Sequence, residues 1–208
     1  MPNLYNRLMN LPTLEQIEAL HRKYAPSDAA FDLVFTHCKI VSEIAEQCIA
    51  NKQLDVDAQL VKVGCLLHDI GVYELLNEDG TEREDMHYIT HGIRGEKILK
   101  AEGFPEVIWR IGSHHTGVGL TKQDITSQSL PLPVEDYLAE TTEGELVMYA
   151  DKFHSKNTPP NFNTFERYKQ TVSKFGDEKS EKFAQLAEKF GVPDLTLLIA
   201  KYGHVVRD

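Results

Sequence analysis

The chain has 208 residues, of which 41% are hydrophobic and 26% charged, and its formal net charge is −10. This hydrophobic content is enough for a folded core, so global disorder is excluded. The negative charge argues against non-specific nucleic-acid binding and against binding to anionic membranes, because both need a basic surface. A chain of this length suits a single domain over residues 1–208.

The sequence also predicts the cellular setting. No uncharged apolar run approaches the ~20 residues that a membrane span needs, and the start of the chain lacks the basic-then-apolar pattern of a signal peptide. Cys38, Cys48 and Cys65 fall in helical patterns without a CxxC pair, which favours reduced, buried thiols. We therefore expect a cytoplasmic protein without a membrane segment.

A helical pattern of apolar residues runs through nearly the whole chain. Thr13 and Gln16 form a capping-box pattern at the start of the first predicted helix, where Leu14, Ile17 and Leu20 follow at helical spacing. The other predicted helices cover, in chain order, about 28–50, 56–70, 90–102, 105–115, 142–153, 163–175, 177–190 and 194–203.

Turn-forming residues separate these helices. Gly71 stands where a C′ glycine would end the third helix, and Pro105 suits the first turn of the fifth. Residues 72–89 are acidic and irregular, and residues 116–141 form a long loop with room for one helical turn. Because no segment shows the period-two alternation of a strand, the predicted fold class is all-α. The alternative adds a short hairpin within 72–89.

Several predicted helices direct a histidine or an aspartate towards their apolar side. A single histidine of this kind is usually a core residue with a hydrogen-bond partner. Together, however, these residues would each need a separate partner in one modest core. A divalent metal binds neutral imidazole nitrogen and carboxylate oxygen at once and offsets the charge of a buried carboxylate. The set that favours a metal site is His37, His68, Asp69, His114, His115 and Asp151.

The same residues resemble a known family pattern. His37, then His68 and Asp69, then Asp151 resemble the H…HD…D pattern of the HD-domain superfamily of metal-dependent phosphohydrolases. The segment LLHDIG matches its HDIG signature, and YADKF is similar to the segment that contains the last aspartate. The resemblance implies an all-α HD-domain helical bundle with additional C-terminal helices.

The resemblance covers about residues 30–155, and it places the core at about 28–155. A C-terminal helical extension over about 160–208 would either cap this core or form a homodimer contact. Val72 follows HDIG where cyclic-dinucleotide phosphodiesterases have a lysine, and their GYP segment is absent, which argues against that specific activity. Leu33, four residues before His37, replaces the extra carboxylate of three-metal members.

Two further segments resemble members with two metals. HGIRGEKIL, which begins at His91, is similar to their HxxxG helix start, and SHH, which contains His114 and His115, is similar to their second added histidine site. The resemblance implies one divalent metal on His37, His68, Asp69 and Asp151. It implies a second on His91 and His114, with Asp69 bridging; the ligands suit Fe, Mn, Co, Ni or Zn.

The remaining assignments concern the reaction. The resemblance implies that Asp69 holds or bridges the metals and that His115 or Lys152 stabilises charge on the phosphoryl group; His115 could equally be a ligand or support one. Arg94, Lys152 and Lys156 are candidates for contacting substrate phosphate, or else they are solvated helix-face charges.

The leading hypothesis is a metal-dependent phosphohydrolase that acts on a nucleotide or another small phosphoester, including dinucleoside polyphosphates. The alternative is a di-iron oxygenase, because HD-fold members with a similar ligand set use iron and oxygen. A less favoured reading is a non-catalytic nucleotide-sensing module.

Overall fold

The computed structural model describes residues 11–207; residues 1–10, on which the expectation about a signal peptide mainly rests, and residue 208 lie outside the described part. The predicted all-α class is confirmed, because helices dominate and the strands are few and short. The helices are α1 (Leu14–Tyr24), α2 (Asp28–Lys52), α3 (Ala58–Leu67), α4 (His91–Ala101), α5 (Glu106–His114), α6 (Lys122–Ser127), α7 (Thr142–Asp151), α8 (Phe165–Val172), α9 (Asp177–Phe190) and α10 (Thr196–Tyr202).

Side-chain caps fix where several helices begin. The capping box predicted before α1 is present, since the Gln16 backbone N–H donates to Thr13 Oγ1 and the Thr13 N–H donates to Gln16 Oε1. Asp57 accepts from two backbone N–H groups at the start of α3. The long loop contains α6 as its short helix, and α8 begins after Thr164, one residue later than the predicted Asn163.

The long helix α2 lies at the centre of the core. Its buried side chains pack against α3 and α7, while α4 packs against α5 and against a 3-10 helix at Ile70–Leu75. From the C-terminal extension, α9 inserts Phe183, whose ring lies against Tyr149 and Phe153 of the core. This helix therefore caps the core, which is one of the two roles expected for the extension.

A small sheet is the main feature that the sequence did not predict. Strand β1 (His154–Ser155) pairs antiparallel with β2 (Asn161–Asn163), and β2 pairs in parallel with β3 (Val205–Arg207). Within 72–89, the alternative hairpin reduces to one isolated bridge, between Leu76 and Glu82. The sheet brings the end of the described chain next to the segment that follows α7.

Gly71 has a different role from the predicted one. Helix α3 ends at Leu67, and Gly71 lies inside the following 3-10 helix rather than in a left-handed C′ position. A Cβ atom at Gly71 would lie 2.1 Å from the His91 carbonyl oxygen and 2.2 Å from the Gly95 nitrogen. The glycine is needed because the backbone of α4 approaches here, and this approach brings His91 close to Asp69.

The three cysteines are free and buried, as predicted. Among residues 11–207, no helix combines the length and the apolar character required to cross a membrane.

Candidate metal centre

Two groups of histidines and aspartates meet inside the bundle and share Asp69. The first group combines His37 from the middle of α2, His68 and Asp69 from the turn after α3, and Asp151 from the last residue of α7. Its candidate ligand atoms all lie within 4.8 Å of one another. His37 Nε2 is 3.0 Å from Asp151 Oδ1, 3.1 Å from Asp69 Oδ2 and 3.3 Å from His68 Nε2.

The second group combines Asp69 with His91 and His115. The Nε2 atoms of the two histidines are 2.9 Å apart, and they lie 3.6 Å and 3.4 Å, respectively, from Asp69 Oδ1. The two oxygens of Asp69 therefore face different groups, Oδ2 the first and Oδ1 the second. Asp69 thus offers one carboxylate oxygen to each group.

Backbone carbonyls orient three of the histidines in the same way. In each, Nδ1 lies 2.7–2.8 Å from the carbonyl oxygen three residues earlier: His68 on Cys65, His91 on Tyr88 and His115 on Gly112. Because a carbonyl can only accept, each Nδ1 carries the proton and donates. In a neutral ring this arrangement leaves the lone pair of Nε2 directed into the groups.

The donor atoms of the second group have the chemistry of a cation site. Burial lowers the pKa of His91 to about 3 and also lowers the pKa of His115, so both rings are neutral at pH 7. Their Nε2 lone pairs then face each other at 2.9 Å with no proton to share. Asp69 Oδ1 is buried and lacks a hydrogen-bond partner within the described part of the chain. A divalent cation fits this set, because it accepts all three lone pairs.

The first group also attracts positive charge. Burial opposes protonation of His68, but the neighbouring Asp69 raises the pKa of this imidazole well above its ordinary value. Burial would raise the pKa values of the two carboxyls, yet Lys156 beside Asp69 and Lys152 beside Asp151 hold both well below their usual range. Two ionised carboxylates and two imidazoles in a buried space fit a second divalent cation.

The match to the HD domain family covers residues 34–156, which is more than half of the chain and includes both groups. The chain belongs to the HD-domain family. Among its relatives, uncharacterized protein MJ0778 of Methanocaldococcus jannaschii is 40% identical over 121 residues, which is 57% of this chain and 64% of that protein. The chain thus spans less than two thirds of this relative.

The HD domain is also similar to parts of longer proteins. The tRNA (cytidine(56)-2'-O)-methyltransferases of Picrophilus torridus and Thermoplasma volcanium are 37% and 35% identical over 132 and 122 residues. These matches cover 62% and 59% of this chain, but only 33% and 32% of the methyltransferases.

Two crystal structures of the HD domain of the L. monocytogenes phosphodiesterase PgpH have a similar fold. One has a TM-score of 0.50 at 14% identity and covers 89% of this chain and 98% of that chain. The other, in complex with Cyclic-di-AMP, has a TM-score of 0.51 at 16% identity and covers 93% and 100%. At these identities the likeness shows the shared fold alone.

Within the HD domain, the position of one predicted ligand differs from the expectation. His114 lies outside both groups: its Nδ1 is 2.7 Å from Ser113 Oγ and its Nε2 is 3.4 Å from Arg110 Nη1. The neighbouring His115 occupies the position beside His91 instead. Helix α5 ends at His114, and successive residues there point in directions about 100° apart. His114 therefore faces Tyr137 of the long loop, whereas His115 faces the centre of the bundle.

The predicted cationic residues divide into two sets. Lys152 donates to Asp151 Oδ2 at 2.6 Å and to the His115 carbonyl at 2.9 Å, and Lys156 donates to Asp69 Oδ2. Arg94 instead pairs with Glu74 at 2.8 Å and donates to Thr90, away from both groups. The two lysines are thus next to the candidate centre, whereas Arg94 holds the start of α4.

His154 is a functional candidate that no sequence pattern indicated. It is buried, and its Nδ1 lies 2.9 Å from Nδ1 of His37. No local pattern reveals this contact, because the two residues are 117 positions apart and His154 begins β1 after α7 has ended.

Proposed function

We propose that this HD-domain protein is a metal-dependent phosphohydrolase that acts on a nucleotide or another small phosphoester through a dinuclear centre. The observation that carries the proposal is the position of Asp69, whose two oxygens face two separate groups of histidine and carboxylate ligands. A mononuclear site would not need this arrangement.

The proposal assigns the ligands as follows. His37, His68, Asp69 and Asp151 hold one cation, and Asp69, His91 and His115 hold the other. His115 thus takes the place that the sequence assigned to His114. These residues would hold two divalent cations, whose chemistry when bound would be to provide a nucleophile from water and to polarise the phosphoryl oxygens.

The side chains around the centre have separate tasks. The backbone carbonyls behind His68, His91 and His115 fix the ring orientation, so that Nε2 stays directed at the ligand position. Lys152 and Lys156 keep Asp69 and Asp151 ionised. Because both ammonium groups also border a neighbouring cavity, they are placed to attract the anionic phosphoryl group of a substrate.

The test combines metal content with turnover. Elemental analysis of freshly purified protein should find two divalent metals per chain, and Asp69→Asn should retain fewer than one because both positions lose a ligand. The metal-loaded wild type should release phosphate from at least one member of a nucleotide and phosphomonoester panel, and Asp69→Asn should not. Two metals without any turnover, or iron-dependent oxygen consumption in place of phosphate release, would refute the hydrolase.

A further inference from the structure

A cavity of about 400 Å³ lies beside the candidate metal centre. Its volume falls within the range of about 300–1,000 Å³ that is typical of small-molecule sites. Asp151 and Lys152 line one side, together with Lys156 from the segment that follows. Further lining residues come from the C-terminal extension and include Arg167 and Arg207. The cavity therefore joins the metal ligands to a part of the chain outside the family match at 34–156.

The charge of this cavity is opposite to that of the whole protein. The net charge of the chain is −10, but the lining contains four cations, Lys152, Lys156, Arg167 and Arg207, and two carboxylates, Glu82 and Asp151. A local excess of positive charge in an acidic protein favours an anionic ligand in this cavity.

The lysines and the arginines differ in what they already bind. Lys152 and Lys156 are paired with Asp151 and Asp69. Neither Arg167 nor Arg207 forms a side-chain ion pair with another residue of the described range 11–207. Within residues 11–207, Arg167 and Arg207 are thus the lining cations that no carboxylate already pairs.

The fold holds these two arginines together. Thr164 caps α8 by accepting from the Arg167 backbone N–H at 3.2 Å, and the Thr164 N–H donates to the Arg207 carbonyl at 3.1 Å. Arg207 also pairs with Asn163 in the register of β2 and β3. The start of α8 and the end of β3 are therefore connected, and both side chains line the same cavity.

We propose that Arg167 and Arg207 form a second anion subsite, so that the substrate carries two anionic groups. This inference rests on the proposed function for the first group, the phosphoryl group at the metal centre. The second group, a phosphate or a carboxylate, binds the two guanidinium groups, whose planar donors match both oxyanions in a bidentate manner. The substrate class is then a phosphoester with a second anionic group, such as a nucleoside diphosphate.

The test uses pairs of probes that differ by one anionic group. The first pair is propylphosphonate and propane-1,3-diphosphonate, which adds a phosphonate, and the second is propylphosphonate and 3-phosphonopropionate, which adds a carboxylate. Dissociation constants are measured by calorimetry on the metal-loaded full chain. The variant is Arg167→Gln/Arg207→Gln, and the matched control is Lys169→Gln, which removes a cation from the same helix outside the cavity lining.

The wild type should bind at least one two-anion probe tenfold or more tightly than its one-anion partner. The double arginine variant should lose that advantage and keep its affinity for the one-anion probe within about twofold, while Lys169→Gln should behave as the wild type. The pair that shows the advantage identifies a phosphate or a carboxylate as the second group. Unchanged metal content and circular dichroism exclude misfolding as the cause.

Equal weakening of both members of a pair would overturn the subsite, because the arginines would then supply only a general positive potential. No change in the double variant would overturn it as well. Arginine-dependent binding without phosphoester turnover would leave the subsite standing and refute the proposed function. Phosphoester turnover, together with a preference for the two-anion probe that persists in the double arginine variant, would refute the subsite and leave the proposed function standing.

Discussion

His37 and His154 face each other through their Nδ1 atoms at 2.9 Å, and His154 Nε2 is in turn 2.8 Å from His204 Nδ1. Burial, together with the neighbouring His37 and His204, lowers the pKa of His154 to about 2, so its ring is neutral. If Nδ1 of His37 donates to His154, then His154 Nε2 carries a proton and donates to His204. This tautomer leaves the lone pair of His37 Nε2 directed at Asp69 and Asp151, as a metal ligand requires.

The first prediction concerns this support of His37. His154→Leu should weaken binding at the first metal position by about 10–100-fold, because partners of this kind fix the orientation and tautomer of a ligating histidine. Competition against a fluorescent chelator measures the dissociation constant. His204→Leu is the control, and its effect should be smaller because His204 contacts His154 and not His37. Equal affinities in wild type and His154→Leu would show that His37 is positioned without this contact.

The second prediction separates the two adjacent histidines at the end of α5. His115→Gln should reduce the metal content from two per chain to one, since the second group then has two ligands. His114→Gln should keep both metals, because its ring contacts Ser113 and Arg110 rather than Asp69. Elemental analysis of the two variants after identical reconstitution provides the comparison. If His114→Gln lost a metal and His115→Gln kept both, His114 would be the ligand, as expected from the sequence.

This pair of residues also shows how far the sequence can predict the site. Helical periodicity and the HDIG segment placed His37, His68, Asp69 and Asp151 on inward faces, and the structure brings those four together. At the end of α5, one residue corresponds to a rotation of about 100°, so the pattern SHH alone could not decide which histidine points inward. The choice depends on how α5 packs against its neighbours.

Long-range contacts account for the other differences. The contact between His37 and His154 joins distant positions, and the strands are only two or three residues long, too short to show an alternating pattern. The all-α class, in contrast, rests on repeated local spacing along the whole chain, and it was predicted correctly. Local patterns fix the helices here, whereas the polar contacts between distant helices do not follow from them.

The third prediction tests the close approach at Gly71. Gly71→Ala should lower the free energy of unfolding by about 1–3 kcal/mol or more, because the added methyl group meets backbone atoms of α4 that cannot rotate away. It should also weaken the second metal position, since His91 moves with α4. Urea denaturation and metal titration measure the two effects.

Gly95→Ala is the matched control for this variant. It adds the same methyl group from the other side of the same contact, where the nearest atom, the Gly71 nitrogen, is at an ordinary 3.4 Å. Gly95 lies inside α4, so alanine should stabilise this helix by about 0.5–1 kcal/mol through its lower conformational entropy in the unfolded chain. A similar decrease in unfolding free energy in both variants would mean that this interface has no room for an added methyl group on either side. Gly71 would then have no special role.

The fourth prediction concerns pH and His21, a residue of α1 that is buried against α3 and the 3-10 helix that follows it. Tyr73 OH lies 2.8 Å from its Nδ1, and its Nε2 lies 2.7 Å from the Leu66 carbonyl. Burial lowers the pKa of His21 from 6.5 to about 4. Between pH 6.5 and pH 4 the unfolded chain therefore binds a proton that the folded chain does not, and the folded state loses stability as the pH falls.

The size of this effect follows from the shift. A difference of about 2.5 pKa units corresponds to about 3 kcal/mol of unfolding free energy. The folded state has this stability above pH 6.5 and has lost it by pH 4. The other histidines of the unfolded chain also bind protons near pH 6.5. The measurement is therefore the difference in urea unfolding free energy between wild type and His21→Gln, which lacks the titrating ring. The unfolding free energy of the wild type should exceed that of His21→Gln most near pH 7.5, and this difference should shrink steadily below pH 6.5. A difference that stays constant from pH 7.5 to pH 4 would show that His21 has the same pKa in the folded and unfolded states.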